Sequence, residues 1–122
     1  ETIEQQLRFF ADMDEATEMA FLISSLEDFE QSTTVLDEMV SAWSSGDVNR
    51  LERAFVSEMR EESPALYDRL LVDRNKEWAV KIDELLDGQD TVFVAVGAGH
   101  LVGDGSVQDQ LEARGIKARR VR

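Results

Sequence analysis

The chain has 122 residues, with 26 acidic against 13 basic side chains and a formal net charge of -13. This length suits one small domain or a piece of a larger one, and so acidic a balance argues against a general nucleic-acid binder, which needs a basic face. No stretch approaches the ~20 apolar residues of a membrane-spanning helix, and a chain with no cysteine and a single histidine, His100, has no disulfide, thiolate metal site or self-contained multi-histidine site.

The chain opens at Glu1 without an initiator Met, so it reads as a fragment or a trimmed chain. Its charge is uneven. Residues 1–64 hold 16 acidic and 4 basic side chains, a net of -12, while residues 65–122 hold 10 and 9. Residues 1–62 therefore read as an acidic helical region. Ile3, Leu7 and Phe10 mark a short leading helix. Asp14 caps a second, whose stripe runs through Met19, Leu22, Ile23, Leu26 and Phe29. Gln31 to Thr34 is a polar interruption. The stripe resumes at Val35, Leu36, Met39, Val40 and Trp43, Gly46 ends that helix, and Asp47 caps the next. Trp43 and Trp78 read as core residues.

Ser63-Pro64 places a cap residue before a proline at the first helical position. The helix it starts spans 63–88, with the stripe Leu66, Leu70, Arg74, Trp78 and Ile82. Arg74 interrupts an otherwise apolar stripe and Asn75 lies beside it, a local conflict of the kind that marks functional or strained positions. Arginine's planar fork suits a carboxylate, a phosphate or an oxyanion, and equally an ion pair with an acid of the helical region.

Residues 91–122 read as a β-α-β unit. Thr91–Val96 is a near-continuous β-prone run, Ser106 to Asp109 fits a capping box, Gly115 ends the helix, and Ile116–Val121 alternates as a second, parallel strand. The fold class expected is thus α/β and mostly helical, with four to five helices before the β-α-β unit, a fragment of a larger α/β domain. Gly97-Ala-Gly-His100 lies where the first strand meets its loop, the place where open α/β sheets bind ligands. Gly97 and Gly99 let a ligand or cofactor approach the backbone. With Gly103 they also spell a weak dinucleotide pattern, GxGxxxG. His100 is a metal ligand, a general base, or a turn histidine bonded to a carbonyl.

Val92-Phe-Val-Ala-Val-Gly-Ala-Gly-His-Leu-Val-Gly103, the helix ending at Arg114-Gly115, and Leu71-Val-Asp-Arg-Asn-Lys-Glu-Trp78 together resemble the TraB/GumN family, as do Gln5-Gln6-Leu7 and Trp43-Ser-Ser-Gly-Asp47. That family is related in fold to Tiki-type metalloproteases, erythromycin esterases and ChaN-like haem-binding proteins. Its members carry two GxxH motifs. Gly97–His100 matches the second, and the first is missing from this sequence. The resemblance implies the C-terminal half of such a domain, from a parent that performs metal-dependent peptide or ester hydrolysis. It also implies His100 as a metal ligand, Arg74 as an oxyanion donor and Asn75 as an orienting group. A divalent Mn, Co or Zn ion would bind only with the upstream half, leaving this chain inactive. A peptide is the implied substrate, and the cell envelope or periplasm the implied location. The alternative is a non-enzymatic peptide- or ligand-binding module. Exposed strand edges predict self-association as a homodimer or swapped assembly.

Overall fold

A computed structural model describes residues 1–27 and 32–121; Phe29 and Gln31 of the predicted pattern lie outside them. Helix α1 (Ile3–Ala11) opens on a capping box. Thr2 Oγ1 accepts from the Gln5 amide at 3.2 Å, and the Gln5 side chain accepts from the Thr2 amide at 2.8 Å. Helix α2 (Glu15–Glu27) starts as predicted, with Asp14 Oδ1 accepting from the Thr17 amide at 2.9 Å. Helix α3 (Ser32–Ser45) begins three residues before Val35, so Thr33 and Thr34 are helical rather than an interruption. Gly46, at φ 69°, ends it in the left-handed conformation that glycine adopts without strain. Asp47 then caps α4 (Val48–Glu52).

The next helices each contain a widened turn. A π segment, Arg53–Ser57, joins α4 to α5 (Glu58–Glu62). Beyond Ser63, which makes no side-chain cap bond, α6 (Pro64–Tyr67) leads through a second π segment, Asp68–Val72, into α7 (Asp73–Leu86). A π turn takes in one extra residue and shifts the register of the helix beyond it. Leu66 is buried as expected, but further along the buried face is Leu71, Asn75 and Ala79 instead of Leu70, Arg74 and Trp78. Trp78 is half-buried. Trp43, expected in the core, is 67% exposed on α3.

The β-α-β unit is not formed, and among the described residues there is no strand. Residues 91–96 are irregular and join no backbone ladder, with Val92, Phe93 and Val94 exposed. Residues 116–121 likewise join no ladder; the Ile116 amide bonds back to the Leu111 carbonyl of the preceding helix at 2.9 Å. Two short parallel strands are too little sheet to stabilise themselves, and among the described residues no third strand is present to pair with either. The helix between them is real: α8 (Val107–Ala113) is capped by Ser106, whose hydroxyl accepts from the Asp109 amide.

Two small cores result. Ala42, Leu51, Val56, Tyr67, Leu71 and Val102 form one, and Ala79, Val107 and Leu111 form the other, flanked by Trp78, Ile82 and Ile116. The 3₁₀ turn Ala98–Leu101 meets the first core through Ala98 and carries His100, which is itself buried. Among the described residues no helix is long and apolar enough to cross a membrane.

Candidate functional site

The second π segment sets up the site. It turns Asn75 inward, where 2% of the residue remains exposed, and leaves Arg74 on the rim. His100 arrives on the 3₁₀ turn, its amide bonded to the Gly97 carbonyl at 3.0 Å. The three residues singled out from the sequence are therefore brought together. His100 Nδ1 lies 2.7 Å from Asn75 Oδ1, and Asn75 Nδ2 donates to the Gly105 carbonyl at 2.8 Å.

This chain of bonds assigns the tautomer. The Gly105 carbonyl only accepts, so it takes the Asn75 NH₂ and turns Oδ1 toward the imidazole. Nδ1 must then carry the proton, and Nε2 keeps its lone pair, without a hydrogen-bond partner among the described residues. The turn-histidine reading is thus replaced by a bond to a side chain rather than to a backbone carbonyl. Burial and the nearby Arg74 charge pull the imidazole down to about 4, with Glu1 acting in the opposite direction. At neutral pH the ring is uncharged.

Arg74 shows the ion pair that its place on the stripe allowed. Its Nε and Nη2 donate side-on to the Glu1 carboxylate at 2.7 and 2.6 Å, and Nη1 donates to the Leu70 carbonyl at 3.0 Å. The guanidinium carbon lies 5.0 Å from the ring centroids of both Phe9 and Trp78, and Trp78 tilts against His100 at 4.5 Å. The bond to Arg74 holds the Glu1 carboxyl below its ordinary range. Gly99 is needed for close approach: a Cβ there would run into the Phe55 ring, which fills that space. Gly97 has ordinary room around it, with the His100 ring as its neighbour.

Glu1, Phe9, Phe55 and Gly105 belong to the site and were not named as site residues from the sequence, where Phe9 and Phe55 read only as apolar helix faces and Gly105 as a loop glycine. A signal existed for Glu1, because the Thr2-x-x-Gln5 box fixes where α1 starts and so where Glu1 emerges. For Phe55 the apolar spacing gave a buried helix face, and the core does take it up, but its place against Gly99 comes with a π turn that periodicity does not reveal. As for a metal, no group of three or more His, Cys, Asp or Glu side chains is placed to hold one among the described residues. Both Glu1 oxygens are committed to Arg74, so of the side chains gathered at this site His100, through Nε2, is the one with a metal-ligating atom left open.

The fold and site define a class: a helical domain in which a buried, neutral loop histidine has its tautomer set by an asparagine, beside an aromatic-flanked arginine. The sequence profile of the TraB/PrgY/gumN family matches residues 1–120, and the chain belongs to that family. Searches of curated proteins and of solved structures return no match.

Proposed function

We propose that the chain carries the ligand-holding part of a peptide- or ester-hydrolase site, with His100 Nε2 as neutral acceptor and Arg74 as anion anchor. The supporting observation is the Gly105–Asn75–His100 chain of bonds, which fixes the ring and leaves Nε2 its lone pair. An imidazole at about 4 keeps that lone pair at pH 7 but is a weak proton acceptor. Turnover therefore needs a second group. A divalent metal takes about three protein ligands, and these residues do not supply them. By this reading the chain binds its substrate and does not cleave it unless further ligands are added from outside the site.

The test is a pair of assays on the 122-residue chain, with His100→Ala beside it. One is peptide binding. The other is turnover of fluorogenic peptides and esters, with and without Mn²⁺, Co²⁺ or Zn²⁺. Expected are binding weakened at least tenfold in His100→Ala and no turnover in either protein. Peptide binding that ignores His100, or turnover by the chain itself, overturns the proposal.

A second reading, peptide capture without chemistry, is favoured by the weak basicity of His100 and by the shortage of metal ligands. Turnover in a protein that adds the further ligands separates the two. The open residues 91–96 also support self-association of this chain, since unpaired backbone and exposed Val92, Phe93 and Val94 offer a pairing edge.

A further inference from the structure

Beside His100 lies a cavity of about 420 Å³, within the range of small-molecule sites. Its walls are mostly apolar, with Phe9, Phe55, Met39 and Met59 among them, and Arg74 is the one charged side chain that lines it among the described residues. A guanidinium has five N–H groups. Three of those on Arg74 are spoken for, two side-on by Glu1 and one by the Leu70 carbonyl. One hydrogen on Nη1 and one on Nη2 remain without a partner among the described residues. Taken as the end-on pair of the fork, their parallel donors match the two oxygens of a carboxylate.

We propose that this end-on pair and the apolar cavity form a binding site for an apolar molecule bearing a single carboxylate, with Glu1 as the positioning residue that clamps Arg74 from the side. The proposal deepens the reading of His100 and Arg74 as one ligand site. It names the class of ligand: a bulky apolar body within reach of a free carboxylate. A hydrophobic residue at a peptide C-terminus has this chemistry, and so does a free apolar monocarboxylic acid. A dense anion such as phosphate gains nothing from the apolar walls. Three groups set the electrostatics around the ligand: Arg74 on α7, Glu1 ahead of α1, and the neutral His100 on the 3₁₀ turn. Lys81 joins them only in the neighbouring cavity of about 570 Å³.

The experiment uses the intact chain with Trp43→Phe, so that fluorescence reports Trp78, the ring packed on Arg74 and His100. It is titrated with N-acetyl-leucine, N-acetyl-leucine amide, a tetrapeptide ending in leucine, the same peptide amidated, and inorganic phosphate. The expected result is saturable binding of the two acids, at least tenfold weaker binding of the two amides, and no response to phosphate. A peptide that binds at least tenfold tighter than the acetylated amino acid identifies a peptide C-terminus as the ligand. Equal affinities identify the free acid. Arg74→Lys keeps the charge but lacks the planar pair, and should weaken acid binding at least tenfold. An independent readout needs no variant at that position: bound carboxylate adds negative charge beside His100, so its NMR-measured pKa should rise when the acid binds and stay put with the amide. Acid and amide binding alike, or neither binding, overturns the proposal. The preference for acid over amide tests this inference, whereas the dependence of peptide binding on His100 tests the reading it rests on, so either can fail alone.

Discussion

At the scale of single residues, the site turns on Asn75 and His100. Removing the carboxamide by Asn75→Ala leaves the Nδ1 proton and the Gly105 carbonyl without partners in a buried place. Each such loss costs about 1–3 kcal/mol, so destabilisation of about 2 kcal/mol or more is expected in urea melts. A loss under about 0.5 kcal/mol would mean that the network is not formed. His100 also sets a pH dependence. Its folded-state value is depressed from the ordinary 6.5 to about 4, so between those values the unfolded chain holds more protons. Stability from this residue is therefore complete above pH 6.5 and is lost as pH falls toward 4, by at most about 3 kcal/mol. The difference in unfolding free energy between wild type and His100→Gln should shrink over that window. A constant difference contradicts a depressed value. Arg74 was legible in the sequence because a charged residue on an apolar stripe breaks a local rule, and Asn75 because it lies beside it. The reason Asn75 rather than Arg74 faces inward was not, since it lies in the π turn.

At the scale of elements, the helices were readable and the strands were not realised. Helix starts are set by short-range chemistry at Thr2, Asp14, Asp47 and Ser106, which needs nothing from the rest of the chain. Thr91–Val96 has strand composition, but a strand exists only where a neighbour supplies ladder bonds, and no propensity scale contains the neighbour. Amides of Val92–Val96 should accordingly exchange with solvent far faster than those in the middle of α7, a difference read by hydrogen-exchange NMR. Protection equal to α7 would show pairing. Packing between elements is tested at Gly99. Gly99→Ala drives a methyl into the Phe55 ring and should cost about 1–3 kcal/mol. Adding Phe55→Leu should make the pair less than additive, and strict additivity would mean that the two do not touch.

At the scale of the whole molecule, burial is uneven. The cores draw on α3 to α8, whereas α1, α2 and α3 leave Ile3, Leu7, Leu22, Leu26, Leu36 and Trp43 about half exposed or more. So much open apolar surface, with the unpaired residues 91–96, favours association. Light scattering at high concentration should give a mass above the 13.8 kDa monomer, and a monomer mass throughout removes the self-association proposal. The acidic first half, at net -12, disfavours polyanionic ligands at long range, in keeping with a ligand of one carboxylate. Periodicity made the helices legible, but the first core joins Ala42, Leu51 and Val56 to Val102 of the tail, which charge did not show. What was not legible is that Glu1, the farthest residue in sequence from that tail, sits on Arg74 beside it. That contact spans 73 positions and leaves no local trace.

The central claim is that Asn75 fixes the tautomer of His100, with the proton on Nδ1 and the lone pair on Nε2, while burial and Arg74 keep the ring neutral. Because His100 is the only histidine, a pH series of long-range ¹H–¹⁵N spectra of the imidazole reads it without assignment ambiguity. The nitrogen shifts should show the Nδ1–H tautomer at pH 7 and a titration centred near 4. An Nε2–H tautomer, or a midpoint near 6.5, would contradict the account.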